Sequence, residues 1–287
     1  MANRDGPYVV ITGASKGIGR ACALRLDRAG FRVFAGIRAA ADGESLRASA
    51  SERLTPIRID VTDEVSIRAA AQRVAAAVGD AGLAGLVNNA GIAVGGPLEF
   101  LPTAEIRRQL DVNVVGQLAV TRAFLPLLRR ARGRVVNMGS ISGRMALPFT
   151  GAYAASKHAL EAVTDALRLE LAPWGLHVSI IEPGVIATPI WETSEAAAMR
   201  LMEAYPPEAM EYYGGVLDLV RQTVRHSAEH GLPPDEVAKA VEHALTARRP
   251  KTRYLVGPDA RARALLRWLP DRLRDALILR RLRRGIR

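Results

Sequence analysis

Short aliphatic runs typical of β-strands alternate with longer amphipathic segments typical of helices along most of the 287 residues. This alternation predicts a doubly wound α/β fold of about seven strands, in which a parallel sheet carries helices on both faces. The predicted strands are Tyr8–Thr12, Arg32–Ile37, Pro56–Asp60, Gly85–Asn88, Arg134–Met138, His177–Glu182 and Arg253–Val256. Helical patterns fall between them at about 17–29, 63–78, 103–130, 152–172 and 234–247.

The length fits one large domain, which we assign to residues 1–258. Within it, residues 188–233 interrupt the alternation directly after a strand and are rich in Met, Tyr, Glu and Pro. Ligands of such sheets bind beyond the carboxyl ends of the strands, so this insertion is predicted to be a substrate lid. Residues 259–287 are predicted to form a basic amphipathic helical tail.

The formal net charge is +11, but residues 259–287 contribute +7 of it through ten arginines and three aspartates. The rest of the chain is close to an ordinary balance, so the charge does not indicate a nucleic-acid partner. The single cysteine, Cys22, excludes an intramolecular disulfide and fits a reducing compartment. The sequence has neither a signal-peptide pattern nor a run of 18 apolar residues, and a cytoplasmic location is therefore expected.

The tail allows two interpretations. A basic amphipathic helix can lie on an anionic membrane surface, or its apolar stripe can dock on the body of the protein or on a partner subunit. Docking is favoured over the membrane, because globular helices commonly carry such a stripe. The stripe consists of Leu265, Leu266, Leu269, Leu273, Leu277 and Leu282, with Trp268 beside it and Pro270 at the predicted start of a second helix.

A glycine-rich loop follows the first predicted strand and leads directly into a helix. It reads Thr12-Gly13-Ala14-Ser15-Lys16-Gly17-Ile18-Gly19. Glycines suit a tight turn that lies close to a pyrophosphate, and the helix N-terminus offers free N–H groups and a positive dipole end to that anion. The loop therefore predicts a dinucleotide site.

Arg38 favours NADP over NAD as the cofactor. An acidic residue about 20 positions after the loop would bind the ribose 2′-hydroxyl of NAD, but the sequence there is Gly36-Ile37-Arg38. Arg38 can pair with a 2′-phosphate, and Lys16 can add a second positive charge. The alternative is that both are solvated surface cations, as is common in a chain with 36 arginines.

Three further strand ends are candidates for the same cleft. Asp60-Val61 ends the third strand, where a carboxylate can accept a hydrogen bond from an adenine amino group. Asn88-Asn89-Ala90-Gly91 ends the fourth, where small residues allow the backbone to lie against a cofactor. After the sixth strand, Thr188 can hydrogen-bond a nicotinamide carboxamide.

Tyr153 and Lys157 lie four residues apart at the start of a predicted helix, and therefore on one face of it. A phenol has a pKa near 10, and a nearby ammonium, aided by an oxidised nicotinamide, is expected to lower it. Such a pair is usually only a surface contact. Here Ser140 follows the fifth strand, where its hydroxyl can orient a substrate oxygen, and Asn113 lies mid-helix, where it can hold a relay water.

These motifs resemble the short-chain dehydrogenase/reductase family, in the subgroup with a TGxxxGxG loop and a YxxxK pair. The resemblance covers roughly residues 7–257 and implies a Rossmann-type fold and a catalytic tetrad. In that tetrad Tyr153 is the acid/base, Lys157 lowers its pKa and binds ribose, Ser140 orients substrate, and Asn113 holds the relay water. The matching positions are Thr12–Gly19, Asp60, Asn88–Gly91, Asn113, Ser140, Tyr153, Lys157 and Pro183-Gly184.

The residue-level arguments and the resemblance together give one set of candidate cofactor contacts. They are Gly13, Ser15, Lys16, Gly17, Ile18, Gly19, Arg38, Asp60, Val61, Asn88, Ala90, Gly91, Tyr153, Lys157, Pro183, Gly184, Ile186 and Thr188. No metal site is predicted, because the histidines lack ligand spacing with cysteine or acid and the pair His226 and His230 has no third ligand.

The predicted function is hydride transfer between NADP(H) and the carbonyl or secondary alcohol of a small, mostly hydrophobic substrate. Residues 31–36, 171–175 and the region after Thr188 resemble retinol, hydroxysteroid and hydroxybutyrate dehydrogenases, some of which prefer NAD. A homodimer or homotetramer is expected. The alternatives are a non-catalytic NADP-binding regulator, which would have lost Tyr153 or Lys157, and a membrane-surface reductase recruited by its tail.

Overall fold

The computed structural model describes residues 6–285, with side chains described outside 216–221, 223–224, 227–228 and 281–285. Residues 1–5 of the predicted domain, residues 286–287 of the predicted tail and the side chain of Leu282 lie outside this description. A parallel sheet occupies the centre, in the order β3-β2-β1-β4-β5-β6-β7. Its strands are β1 (Tyr8–Ile11), β2 (Arg32–Ile37), β3 (Leu54–Arg58), β4 (Gly85–Asn88), β5 (Arg134–Met138), β6 (His177–Pro183) and β7 (Arg253–Val256).

Helices connect these strands and cover both faces of the sheet, so the predicted doubly wound α/β fold is confirmed. They are α1 (Gly17–Arg28), α2 (Ala40–Arg47), α3 (Glu64–Val78), α4 (Thr103–Leu110), α5 (Gly116–Ala131), α6 (Gly151–Leu171), α7 (Ile190–Glu203), α8 (Pro207–His230), α9 (Pro234–Thr246), α10 (Pro258–Leu266) and α11 (Asp271–Gly285).

Two apolar cores hold the layers together, one on each face of the sheet. On one face α1 and α9 pack against the sheet, with Leu26 and Val241 fully buried. On the other face α3, α5 and α6 do so, and Phe124 of α5 is fully buried there. Side chains from adjacent positions of β1, Val9 and Val10, enter opposite cores, as the alternation of side chains along a strand requires.

The strand order reverses direction at β1. The chain runs outward through β2 and β3, then returns to pair β4 against the other side of β1. The loops after β1 and β4 therefore diverge at the carboxyl edge and leave a crevice, which is where ligands of such sheets bind.

The predicted strands β2, β4, β5 and β7 have the bounds expected from the sequence, whereas β3 lies two residues earlier than predicted. β3 is an edge strand, so it tolerates Pro56 within its ladder. Because the strand ends at Arg58, Asp60 lies in the turn beyond it. Helix α2 was not predicted; it is short, contains Gly43 and fully buries only one large side chain, that of Leu46.

The single helix predicted at 103–130 is divided by a π-helical turn at Asp111–Val115. The turn ends at Gly116, where a Cβ atom would lie 2.5 Å from the carbonyl oxygen of Val61. The π-helical turn therefore lies where the helix packs closely against the residues that follow β3. Among the described residues, no helix is both long and apolar enough to cross a membrane.

Residues 188–233 contain α7 and α8 and leave and return at neighbouring points of the sheet edge. Ile186 and Leu232 form a parallel bridge, and Leu232 N–H donates to the carbonyl of Val185. The first helix of the predicted tail, α10, is docked on the body, but through Ala260 and Ala264 rather than through the leucine stripe. Asp259, near the start of α10, also links this helix to the body, because its carboxylate accepts a hydrogen bond from Val185 N–H.

Candidate active site

The crevice between β1 and β4 is closed at its base by two polar side chains. The hydroxyl oxygen of Thr12 accepts hydrogen bonds from the N–H groups of Asn89 and Ala90, both at 3.0 Å. The amide of Asn89 donates in return to the carbonyls of Thr12 and Gly13, also at 3.0 Å. These bonds tie the glycine loop to the end of β4 and fix the width of the crevice.

The glycines of the loop are required by its geometry. Gly13 and Gly17 have φ angles of +64° and +56°, which L side chains rarely adopt. A Cβ atom at Gly19 would lie 2.1 Å from the carbonyl oxygen of Gly13, so the loop could not close over a larger residue there. Ile18, between Gly17 and Gly19, packs against the core formed with α1 and α9. Ser15 is half-buried on the loop.

The N-terminus of α1 suits the pyrophosphate of a dinucleotide. Its N-cap is Lys16, and among the described residues no side chain caps it and no acidic residue stands in its first turn. The N–H groups of that turn and the helix dipole remain available to an anion. Thr188 lies against the same loop, with its side chain 3.4 Å from where a Cβ of Gly17 would stand.

Arg38 is the first residue after β2 and is exposed at the carboxyl edge. It lies close enough to Asp60 to help lower the pKa of that carboxyl, although the main cause is the hydrogen bond from Thr62 N–H. The Asp60 oxygen that accepts from Thr62 N–H also accepts from the Thr62 hydroxyl. Val61 is buried in the core, so only its backbone faces outward.

Several of the predicted cofactor residues point inward rather than into the crevice. The amide of Asn88 is fully buried and donates to Thr121 and Asn137, so it joins β4 to α5 and β5. Ile186 belongs to the apolar core and Pro183 is buried, which leaves their backbones as the only contacts they can offer. Gly184 is required by Asp259, whose carboxylate would lie 2.1 Å from a Cβ there.

The structure brings together the side chains predicted for the chemistry. Helix α6 carries Tyr153 and Lys157 one turn apart, and the ammonium nitrogen of Lys157 lies 5.7 Å from the centre of the Tyr153 ring. Ser140, two residues after β5, is buried and lies close enough to Tyr153 to influence the pKa of its hydroxyl. The Ser140 hydroxyl oxygen accepts from Ser142 N–H at 3.1 Å, which orients it.

Lys157 is held in the interior by the backbone of β5. Its ammonium is buried and donates to the carbonyl of Met138 at 2.7 Å. Burial lowers the pKa of Lys157 to about 8, an effect that the charge of Glu161 opposes. A Cβ atom at Gly91 would lie 3.9 Å from this ammonium, so the loop after β4 reaches the same site.

Burial raises the pKa of the Tyr153 hydroxyl in this structure, and the nearby Ser140 hydroxyl opposes that rise. The expected lowering counted the ammonium of Lys157 together with an oxidised nicotinamide. Desolvation, which disfavours the phenolate, acts against both. The phenol therefore remains the acid form in this structure.

Asn113 reaches the site from the π-helical turn instead of from a regular helix. Its amide donates to the Ile92 carbonyl and to the Ser156 hydroxyl, and its oxygen accepts from Ile92 N–H. Its oxygen lies 3.3 Å from the Cβ position of Gly91. The side chain thus joins α6 to the loop after β4, close to Lys157.

Sequence reasoning missed residues that hold this site together. Asn89 was named within its motif but was given no role, although its amide binds the carbonyls of Thr12 and Gly13 and so holds the glycine loop. Gln109 holds the loop after β4 through Ile92 and Val94, one turn before Asn113. The acidic residues Glu161 and Glu182 are both buried, and a carboxylate within the apolar strand β6 was the signal that could have indicated them.

The two histidines of α8 contact each other at the surface. His226 and His230 are exposed and stack at 4.2 Å between ring centres. Among the described residues, no group of three His, Cys, Asp or Glu side chains is arranged to hold a metal ion.

Comparison with known proteins defines the family. The family model for short chain dehydrogenase matches residues 7–198. Retinol dehydrogenase 5 of Mus musculus is 42% identical over 278 residues, which cover 94% of this chain and 87% of that protein. The 17-beta-hydroxysteroid dehydrogenase type 6 of Homo sapiens is 38% identical over 98% of this chain and 90% of its own length. The chain therefore belongs to the short-chain dehydrogenase family.

Solved structures agree with this assignment. A short chain dehydrogenase from Burkholderia cenocepacia in complex with NADP superposes with a TM-score of 0.73 at 27% identity, over 96% of this chain and 98% of that one. A family member from Burkholderia phymatum in complex with NAD gives 0.77 at 27% identity, over 93% and 94%. The chain is thus a nicotinamide-dependent oxidoreductase acting on alcohols or ketones.

Proposed function

We propose that this protein transfers a hydride between NADP(H) and the carbonyl or secondary alcohol carbon of a small, mostly hydrophobic substrate. The observation that carries the proposal is the convergence of Tyr153, Lys157 and Ser140 at the carboxyl edge, beside the β1–β4 crevice. A non-catalytic regulator would have no need to bury the ammonium of Lys157 next to a phenol. Similarity to retinol and hydroxysteroid dehydrogenases supports an apolar alcohol or ketone as substrate.

In this proposal the cofactor-binding residues and the proton-transferring residues have separate roles. The glycine loop and the N-terminus of α1 bind the pyrophosphate, and a nicotinamide bound across the crevice supplies the hydride donor or acceptor. In the reductive direction the hydroxyl of Tyr153, whose protonated form is favoured by burial, donates a proton to the substrate oxygen. The hydroxyl of Ser140 orients that oxygen by a second hydrogen bond, and the ammonium of Lys157 stabilises the phenolate that remains.

Asn113 and the loop after β4 complete this arrangement. Because Asn113 bonds both Ile92 and Ser156, it fixes the distance between α6 and that loop. We propose that it also holds a relay water near Lys157, through which Tyr153 regains its proton. Residues 1–258 make up the catalytic domain in this proposal.

Replacing Tyr153 with Phe is expected to reduce kcat about 10²–10⁴-fold, since general acid–base catalysis is typically worth that much. Affinity for NADP(H), measured by fluorescence titration, should change little because only a hydroxyl is lost. Tyr8→Phe is the matched control, as Tyr8 opens β1 at the opposite edge of the sheet and should leave kcat unchanged. Turnover of Tyr153→Phe within a few-fold of the parent protein would contradict the assignment.

NADP is proposed over NAD because Arg38 is exposed at the end of β2 and no acidic residue follows that strand directly. The proximity of Arg38 to Asp60 supports its being on the adenosine side of the crevice. Lys16, exposed on the glycine loop, offers a second positive charge to a 2′-phosphate.

Arg38→Asp should lower the NADPH-to-NADH ratio of kcat/KM about 10–100-fold, because a charged hydrogen-bonding pair is worth roughly 1.5–3 kcal/mol. Arg58→Asp is the control: Arg58 is also exposed and near Asp60 but lies on the edge strand β3. An equal effect of both substitutions would indicate that positive charge anywhere near Asp60 favours NADPH, without a specific contact. No effect of either would locate the 2′-phosphate contact elsewhere.

The apolar substrate is proposed to bind under residues 188–233. Aromatic rings of this segment contact the loops that flank the site: Phe100 lies 6.1 Å from Tyr205 and 6.0 Å from Tyr213, measured between ring centres. Phe149, four residues before Tyr153, lies 5.9 Å from Tyr213 and has a strained φ of +65°. The hydroxyl of Tyr213 donates to Glu99 at 2.8 Å, which joins α8 to the opposite rim.

If this segment is a lid, amide hydrogen exchange in α7 and α8 should be fast in the free enzyme and slow once NADP(H) and a substrate analogue are bound. Helix α9, which packs in the core, serves as the internal reference and should not respond. Slow exchange without ligands, or no change on binding, would make 188–233 a fixed insertion and weaken the case for a bulky hydrophobic substrate.

Helix α11 and the exposed residues before it are proposed to contact a partner subunit of a homodimer or homotetramer in the cytoplasm. Trp268 is 82% exposed and Leu265 is 72% exposed. Docking of the leucine stripe on the body or on a partner subunit was expected, and these exposures favour the partner subunit. Removing residues 270–287 should lower the mass measured by light scattering to that of a smaller assembly. An unchanged mass, with binding to anionic vesicles that is lost on truncation, would favour the membrane surface instead.

A further inference from the structure

Two carboxyl groups meet in the interior behind the proposed catalytic residues. Glu161 lies on α6 with 9% exposure, and Glu182 lies in β6 with none. One oxygen of each, Oε1 of Glu161 and Oε2 of Glu182, is buried without a hydrogen-bond partner. Buried polar atoms are rarely left unpaired, so these two oxygens call for an explanation.

A single shared proton accounts for both oxygens. Two carboxylates cannot both remain charged in contact in a dry site, because desolvation and repulsion favour protonating one of them. In this structure burial, followed by the charge of Glu182 and a hydrogen bond with it, raises the pKa of Glu161 to about 7. A proton between the two groups gives both of these oxygens a partner, and the surrounding charges determine which group carries it.

The surrounding charges identify Glu182 as the carboxylate of the pair. Its Oε1 atom accepts from Arg144 Nε at 2.9 Å and lies 3.4 Å from Arg253 Nε. Arg253, on β7, also contacts Oε2 of Glu161 at 3.1 Å and binds Asp165 at 2.7 Å. With Lys157, these are the charged groups that face the pair from α6, β6, β7 and the segment after β5.

The pair is connected to the proposed catalytic residues through α6 and the turn that carries Ser140. Lys157 lies one helical turn before Glu161, and the charge of Glu161 raises the pKa of Lys157 against the effect of burial. Gly143, three residues after Ser140, packs on both: its Cβ position is 2.9 Å from the Lys157 carbonyl oxygen and 3.2 Å from Cγ of Glu161. Arg144 then joins this turn to Glu182.

We propose that Glu161 and Glu182 share one proton as a carboxylic acid–carboxylate pair, and that Glu161 acts as a positioning residue whose charge controls the ammonium of Lys157. Loss of the proton to solvent places a second negative charge one turn from Lys157 and holds the ammonium charged. The pairing itself is independent of the proposed function, whereas its effect on turnover rests on it.

The pairing is tested by the pH dependence of stability. An acid whose pKa is raised on folding stabilises the protein below its unfolded value, and this contribution is lost as the pH rises through the folded value. The free energy of unfolding of the parent protein should therefore contain a component that falls between about pH 4.5 and 7. Glu161→Gln, which keeps a hydrogen-bond donor toward Glu182, should remove that component.

Asp165→Asn is the matched control, one turn further along the same helix face and also bound to Arg253. Hydrogen bonding to Arg253 lowers the pKa of Asp165, so this substitution should leave the slope between pH 4.5 and 7 intact. The same slope in Glu161→Gln and in the parent protein would overturn the pairing.

Turnover tests the link to Lys157. In Glu161→Gln the alkaline limb of the kcat profile should move to lower pH, because the ammonium loses a neighbouring negative charge, while KM for cofactor stays within about twofold. Asp165→Asn should leave the limb in place, and an unmoved limb in Glu161→Gln would overturn the positioning role. If neither the parent protein nor any variant turns over an alcohol or ketone, the proposed function is wrong. The stability measurement still tests the pairing in that case.

Infrared spectra of the unsubstituted protein, recorded as a function of pH, test the shared proton without requiring any variant to fold. A protonated carboxyl band that disappears between pH 6 and 8 supports the shared proton. A spectrum in which every carboxyl has ionised by pH 6 contradicts it.

Discussion

The buried ammonium of Lys157 is the constraint on which the chemical end of this molecule depends. A cation removed from water must be compensated, and here the Met138 carbonyl at the end of β5 accepts from it at 2.7 Å. That bond fixes the position of α6 relative to the sheet. Tyr153, one turn earlier on the same face, is thereby directed at the turn that carries Ser140.

The two halves of the site are built in different ways. The cofactor crevice is formed mainly by backbone: glycines with positive φ, an uncapped helix N-terminus and carbonyls held by the amide of Asn89. The chemical end depends on side chains that are buried and hydrogen-bonded, among them Lys157 and Asn113. A backbone site tolerates many sequences between its glycines, whereas the chemical end requires particular functional groups at fixed distances.

This difference explains how much could be predicted from the sequence. Strand and helix periodicity predicted the sheet, and the glycine loop and the Tyr153–Lys157 spacing predicted both ends of the cleft. Local patterns could not predict the π-helical turn at Asp111–Val115, because it goes with a contact between Gly116 and the distant Val61. They also could not predict the effect of desolvation on the pKa of Tyr153, since that effect depends on what covers the hydroxyl in three dimensions.

Long-range pairing also hid Glu161 and Glu182. Glu161 looks ordinary within its element, as a helical residue four positions after Lys157, and Glu182 stands out only as a carboxylate within an apolar strand. Only the sheet register, which brings the end of β6 beside α6 and next to β7, places both against Arg253.

The segment 188–233 is the part of the chain least constrained by the sheet. It leaves after Ile186 and returns at Leu232, and these two residues bridge one another, so α7 and α8 can differ in length and sequence without displacing β6 or β7. The family model matches as far as residue 198, within α7. Under the proposed function, the framework supplies the hydride and proton chemistry, and selection among apolar substrates falls to the rings of residues 188–233 and to the loops they contact at Phe100 and Phe149.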